Sequence, residues 1–306
     1  MNPEITYQLC AFFLTVGILF IGRTSYALTR KYDHEEQLTH ADNPAVGWVT
    51  FGFLTGLLIV LASVLMQDTE HDGRLDVMVY DLIELGIYSV CALLLLNVSG
   101  LINDRYMLGQ FDNKKELVDD RNQGVGVAIL GSYIASALMI AGTITGPGGS
   151  LEPSEFWSNL VSDLGLMLVY FVGGQLLLIL FVRIYITASG VDVLAELAKD
   201  YEQDGQQFGG NAAAGVALGL NVIAFGVLLL AGGRSTGETA MELAQDYALY
   251  ALIGLILLPV WRRFTDKIML HQADLHKEIY EDRNVNAALI EGISVNAVAI
   301  SLFLIL

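Results

Sequence analysis

Eight apolar runs, each bounded by charged residues, constrain this sequence more than any other feature. They lie near residues 5–28, 44–66, 78–101, 123–145, 160–187, 210–232, 243–262 and 284–306. A helix needs about 20 apolar residues to cross the hydrocarbon core of a bilayer, so every run is long enough to span one. Of the 306 residues, 54% are apolar and 16% charged, a balance that excludes a disordered chain, a secreted disulfide scaffold and an ordinary soluble domain. The expected class is all-α: a polytopic membrane protein whose eight transmembrane helices form a single membrane domain over residues 1–306.

Charge sets the expected orientation. The segments after the first, third, fifth and seventh runs carry Arg23, Arg30 and Lys31; Arg105, Lys114, Lys115 and Arg121; Arg183 and Lys199; and Arg262, Arg263, Lys267, Lys277 and Arg283. These are 14 of the 16 basic residues, and the other side holds only Arg74 and Arg234. Basic residues near span ends stay in the cytoplasm, so this side is read as inside and both termini as extracytoplasmic. The opposite segments are short and acidic, with Asp68, Glu70, Asp72 and Asp76, then Glu152 and Glu155, then Glu238 and Glu242. A cation-attracting vestibule is one reading; loops kept wet by acids that the orientation rule leaves unconstrained is the other. The net charge of -17, with basic residues scattered among 33 acids, argues against a nucleic-acid partner. Cys10 and Cys91 sit inside apolar runs and are read as packing residues, not as a disulfide. No Lys or Arg precedes Arg23, so the first run lacks the basic flank of a signal peptide.

An internal repeat organises the runs. An asparagine opens each even-numbered run: Asn43-Pro-Ala-Val-Gly47, Asn122-Gln-Gly-Val-Gly126, Asn211-Ala-Ala-Ala-Gly215 and Asn284-Val-Asn-Ala-Ala288, at spacings of 79, 89 and 73 residues. A glycine follows eight or nine positions on, at Gly52, Gly131, Gly219 and Gly292. Asp33, Asp112 and Asp274 stand ten residues before their asparagines, and Leu38, Leu117 and Ile279 five before. The third copy departs, with Tyr201 and Gln206 in those places, so a role needing four equivalent sites is not expected. Asp81, Asp163 and Asp246 open odd-numbered runs on the acidic side. The unit is therefore span, cytoplasmic amphipathic helix, span, repeated over 1–68, 76–147, 158–233 and 241–306. An even number of crossings per unit makes the copies parallel, and a pseudo-fourfold or paired pseudo-twofold bundle is expected.

The pattern of Asp, Leu or Ile, Asn and a small-residue start to an apolar span resembles the bacterial inner-membrane family called domain of unknown function 350. The Asp120-Arg121-Asn122 and Asp282-Arg283-Asn284 copies match best, and the resemblance covers essentially the whole chain in four copies of the unit. It implies a multi-pass protein of the bacterial inner membrane and no particular activity.

The repeated residues have mechanical readings. Asn43, Asn122, Asn211 and Asn284 suit N-caps, with Pro44 at the first helical position; a ring of amides at a cytoplasmic mouth is the alternative. Asp33 with Glu36 has capping-box spacing, and Asp112 and Asp274 are read likewise. The segments after them suit helices in the headgroup plane, either as linkers or as paddles that gate the bundle. Small residues four apart, such as Gly52 and Gly56 or Gly215 and Gly219, mark the even helices as an inner, close-packed set, whereas leucine-rich odd helices face lipid.

Polar groups inside the runs are the strongest functional pointers. Glu291 lies about 10 Å deep in the last span by helical rise, with Asn221, Asn296 and Gln175 as uncharged companions. It is read either as a structural hydrogen-bonding group or as part of a proton or ion path. His271, Asp274 and Glu278 share a helix face and with His34 or His40 could make a partial metal site, but a solvated face explains them better. No metalloprotease, hydrolase or phosphate-loop motif is present, so no metal, cofactor or enzyme activity is expected. The leading function is a channel or transporter for a cation or small solute through the even helices. The alternative is a non-transporting membrane scaffold or envelope-stress protein whose cytoplasmic helices bind lipid or a partner protein. Expected partners are the lipid bilayer and either a homo-oligomer or a cytoplasmic partner.

Overall fold

The computed structural model describes residues 3–30, 32–67, 74–144, 154–203, 206–235, 237, 239–269 and 274–306. Lys31, Asp68, Glu70, Asp72, the turn at 146–150, Glu152, Glu238 and His271 lie outside them. In chain order the helices are α1 (Pro3–Thr29), α2 (His34–Thr39), α3 (Pro44–Leu65), α4 (Leu75–Ile102), α5 (Gln123–Ile144), α6 (Phe156–Ser189), α7 (Val193–Leu197), α8 (Ala212–Gly233), α9 (Ala240–Met269), α10 (Leu275–Tyr280) and α11 (Val285–Ile305). Two π-helical turns, Asn103–Met107 and Lys115–Asp119, join α4 to α5, and a small antiparallel hairpin, Tyr201–Gln203 with Gln206–Phe208, precedes α8. Among the described residues, eight helices are long and apolar enough to cross a membrane.

The even spans α3, α5, α8 and α11 have 22, 22, 22 and 21 residues. At 1.5 Å per residue that is roughly 33 Å, close to the hydrocarbon thickness. The odd spans are longer, 27 to 34 residues, and overrun their apolar stretches. Asp81, Asp163 and Asp246 therefore do not open their helices as the sequence suggested; each stands at least one turn inside, because the helices begin at Leu75, Phe156 and Ala240.

The spans form two rows. The even helices pack in the order α3, α5, α8, α11, and the odd helices α1, α4, α6 and α9 form a second row against them. The even row is held by backbone-close contacts: a Cβ added at Gly131 would overlap the backbone of Gly219, and one at Gly215 that of Gly124. With no hydrophobic drive between helices in lipid, such small-residue approach is what holds the row. The inner position holds for α5 and α8, whereas α11, at the end of the row, is no more enclosed than the odd α4 and α6; the odd helices expose large apolar residues such as Phe13, Phe20, Leu94 and Leu176.

Of the two symmetries expected from the repeats, the pseudo-fourfold one is corrected. A pseudo-fourfold bundle would bring α3 against α11, but α3 packs on α5, and α11 on α8 and α9. At each internal seam, the position nine after one asparagine meets the position eight after the next, and the pair always holds a glycine: Gly52 on Leu130, Gly131 on Gly219, Leu220 on Gly292. At the two ends of the row the same positions are Phe51 and Ile293, both bulky and exposed. Glycine is what allows the approach, so the row stops where both sides are large. Cys10 is also corrected, since it is exposed on α1 instead of packed inside.

Candidate functional site

At the end of the bundle that carries most of the basic residues, the repeated asparagines make a relay. Each caps its own span: the Asn43 side-chain oxygen accepts from the backbone N–H of Ala45 and Val46, Asn122 from Val125, Asn211 from Ala214, and Asn284 from Asn286 and Ala287. The side-chain amide then reaches the next copy. Asn43 Nδ2 donates to the carbonyl of Leu117 at 2.8 Å, Asn122 to Leu197 at 2.8 Å, and Asn211 to Ile279 at 2.9 Å. One residue type is needed because one side chain both accepts from its own helix and donates to its neighbour. In copies one, two and four the amide also donates to the side chain six residues back, Gln37, Glu116 and Glu278.

This relay corrects the reading of the third copy. Tyr201 and Gln206 belong to the hairpin; the residues equivalent to Asp33 and Leu38 are Asp192 and Leu197. Asp192 caps α7 by accepting from Ala195 N–H, as Asp33, Asp112 and Asp274 cap the segments after them. An insertion that includes the hairpin separates Leu197 from Asn211, and alignment by fixed spacing hid the match. The residue before every asparagine is left-handed: Asp42 (φ 46°), Arg121 (49°), Gly210 (66°) and Arg283 (55°). Only the third copy uses the residue for which that conformation is unstrained.

Glu291 is buried, with 3% of its side chain exposed, and it is ion-paired. Arg262 Nε donates to its Oε1 at 2.7 Å, and Asn221 Nδ2 to the same oxygen at 3.1 Å. Arg262 spends its other donors on Tyr280 Oη at 3.0 Å and on Ser189 Oγ, and its guanidinium lies 4.4 Å over the Tyr185 ring. The cluster joins α6, α8, α9, α10 and α11. By hydropathy Arg262 is an interfacial basic residue, because the seventh apolar run ends there. The helix does not; it continues to Met269, which places the guanidinium on a helical face beside α11.

The first half has a counterpart. Arg30 lies 4.5 Å over the Tyr26 ring, donates to Tyr133 Oη and approaches Asp104 at 3.6 Å. Tyr26 and Tyr185 stand equally far, seven residues, before their capping aspartates Asp33 and Asp192, and on that register Arg30 matches Ser189. Counted back from Asn122 and Asn284, Gly100 matches Arg262, both 22 residues before. A Cβ at Gly100 would collide with the Arg30 guanidinium. Each half therefore sets one arginine over the same tyrosine, and a small residue on the other helix makes room. Likewise Ser132 bonds Asn103 where, at matching positions, Ser294 bonds Thr265. The chain is two homologous halves of two hairpins each, and a family model described as Domain of Unknown Function (DUF350) matches residues 2–144 and 159–305. The chain belongs to this family. No curated protein matches it, and no solved structure does.

Within this DUF350 chain the remaining intramembrane candidates part company. Asn296 donates to the carbonyls of Leu220 and Gly292, on the same α8–α11 seam as Asn221 and Glu291. Gln175 is elsewhere, tying α6 to Ser136 on α5. Asp274 and Glu278 are engaged by the α10 cap and by Asn284, and His34 bonds Thr50 at 2.8 Å, so these side chains are taken up in separate contacts. Burial, then the positive charges of Arg23 and Arg30, lower the His34 pKa below its ordinary value, and burial raises that of Glu116, against the opposing hydrogen bond from Asn122. The missed residues, Arg262, Tyr185, Tyr280 and Ser189, carry one signal in the sequence: Tyr26 and Tyr185 at matching distances before a capping aspartate.

Proposed function

We propose that this DUF350 chain is a membrane scaffold of the bacterial inner membrane. In this reading it catalyses no reaction, and its spans form a packed slab that presents the four capped segments on the cytoplasmic side to lipid headgroups or a soluble partner. The observation that carries the reading is the state of Glu291. A lone carboxylate at that depth was the main argument for a path, and the Arg262 salt bridge supplies a structural reason for it instead. The open row of even helices supports the same view, since four helices in line enclose no shared axis. The presented face is charged on its exposed positions, including Glu35, Glu36, Lys114 and Lys115, over apolar anchors such as Leu117, Leu197 and Ile279.

A channel or transporter is the second reading, favoured by the succession of Asn221, Glu291 and Asn296 along the α8–α11 seam. One pair of measurements separates them. In proteoliposomes, the scaffold reading expects no flux of sodium, potassium or protons above empty vesicles. It also expects a partner that co-purifies stoichiometrically from native membranes and is lost when Lys114 and Lys115 are both changed to Glu. A cation flux that disappears in Glu291→Gln would overturn it in favour of the second reading.

A further inference from the structure

At the end of the bundle opposite the asparagine caps, the buried Glu84 lies within the electrostatic reach of two other carboxylates, Asp81 and the exposed Asp163. Asp81 and Glu84 lie on α4 and Asp163 on α6. Asp81 is engaged, accepting from Tyr7 Oη of α1. Glu84 is different. It stands nine residues after the start of α4, roughly 13 Å along the helix axis, on the inward face shared with Leu85, Tyr88 and Ser89, and only 8% of it is exposed. Among the described residues nothing hydrogen-bonds its carboxyl. Among the described residues, the charged groups that act on it are Asp81 and Asp163, both negative, and the other titratable groups facing it are Tyr7 from α1 and Tyr88 from its own helix. No arginine, lysine or histidine is among them. The contrast is Glu291, also buried, which has an arginine at 2.7 Å.

An ionised carboxylate at Glu84 would be unpaired in a hydrocarbon setting and beside two like charges; a neutral carboxyl removes both penalties. We propose that Glu84 is a proton-binding site, with its carboxyl carrying a proton inside the α1–α4–α6 contact. This goes beyond the scaffold reading and does not depend on it. The aspartates set how firmly the proton is held: each added negative charge nearby disfavours its loss. The site takes a proton and not a metal ion, since a cation would need several oxygens around it and Asp81 is already committed to Tyr7.

A hydrophobic carbodiimide tests this directly, because it adds to a protonated carboxyl in apolar surroundings, the O–H adding across the C=N bond, and leaves an ionised surface carboxylate largely untouched. The purified full-length protein in detergent is treated with dicyclohexylcarbodiimide from about pH 6 to about pH 8 and mapped by peptide mass spectrometry. Glu84 is expected to be modified, less so as pH rises, and the adduct should vanish in Glu84→Gln, whose unfolding temperature should equal or exceed the parent's. In Asp81→Asn and in Asp163→Asn, modification at about pH 8 should fall at least about two-fold, since Glu84 then ionises more readily. Three results would each overturn the assignment: no adduct at Glu84 at any pH in folded protein, an adduct indifferent to both aspartates, or protection by sodium or magnesium at constant pH, which would make the ligand a metal cation. Flux plays no part in this readout, so its failure and that of the scaffold reading are distinguishable.

Discussion

The two halves place an arginine over a tyrosine at matching positions, yet they neutralise it differently. In the first half Arg30 comes from the end of α1, and its nearest carboxylate, Asp104, is 3.6 Å away and 40% exposed. In the second half Arg262 comes from within α9 and meets Glu291 at 2.7 Å with both side chains enclosed. The first carboxylate is partly open to the surroundings and the second is enclosed. The same motif is thus held by a phenol and a longer, part-exposed ion pair in one half and by a short, enclosed ion pair in the other.

The largest expected effect follows from that difference. Glu291→Ala leaves Arg262 buried without its counter-charge and should cost about 3–5 kcal/mol, read as a large drop in unfolding temperature in detergent. Asp104→Ala should cost less than about 1 kcal/mol, as exposed pairs do. Equal losses would show that the two sites are energetically alike and break the comparison. An exchange sharpens it. Arg262→Gly should be as damaging as Glu291→Ala, and adding Ser189→Arg, which copies the first half's arrangement, should recover about 1–3 kcal/mol of coupling. A double variant no better than the single one would mean that the two halves are not geometrically equivalent.

Smaller effects separate the copies. Arg121 is exposed and left-handed where the third copy has Gly210, so Arg121→Gly should raise stability by about 1 kcal/mol; a loss would mean that its side chain makes a needed contact. The smallest concerns pH. The folded-state pKa of His34 is depressed by burial, below the ordinary 6.5. Its contribution to stability is therefore complete above about pH 6.5 and is lost as pH falls through the depressed value. Unfolding temperature should decline on acidification below about pH 6.5 more steeply in the parent than in His34→Gln, and parallel curves would remove His34 from the account.

Much of the architecture could be read from residue types alone. The number of spans follows from run length, and the capping role of Asn43, Asn122, Asn211 and Asn284 from the chemistry of a side-chain oxygen at a helix start. The close packing of the even helices follows from glycine spacing. The candidate site was half legible. Glu291 and Asn221 were picked out separately by depth, and they touch. Arg262 was not joined to them, because hydropathy cannot tell a basic residue that ends a span from one that a longer helix carries inward. The third copy was misread for a related reason: an inserted hairpin moves Asp192 and Leu197 away from their asparagine without changing what they do.

Composition and periodicity settled how many helices are long and apolar enough to cross the bilayer, which of them are close-packed and where the even ones begin, since these depend on local propensity and on transfer of side chains into hydrocarbon. Contacts between distant segments decided the rest. The relay from each asparagine to the following copy, the open row in place of a ring, and the pairing of Arg262 with Glu291 all depend on which faces meet, and pairing energies between residues 29 to 75 positions apart leave no periodic trace in the chain.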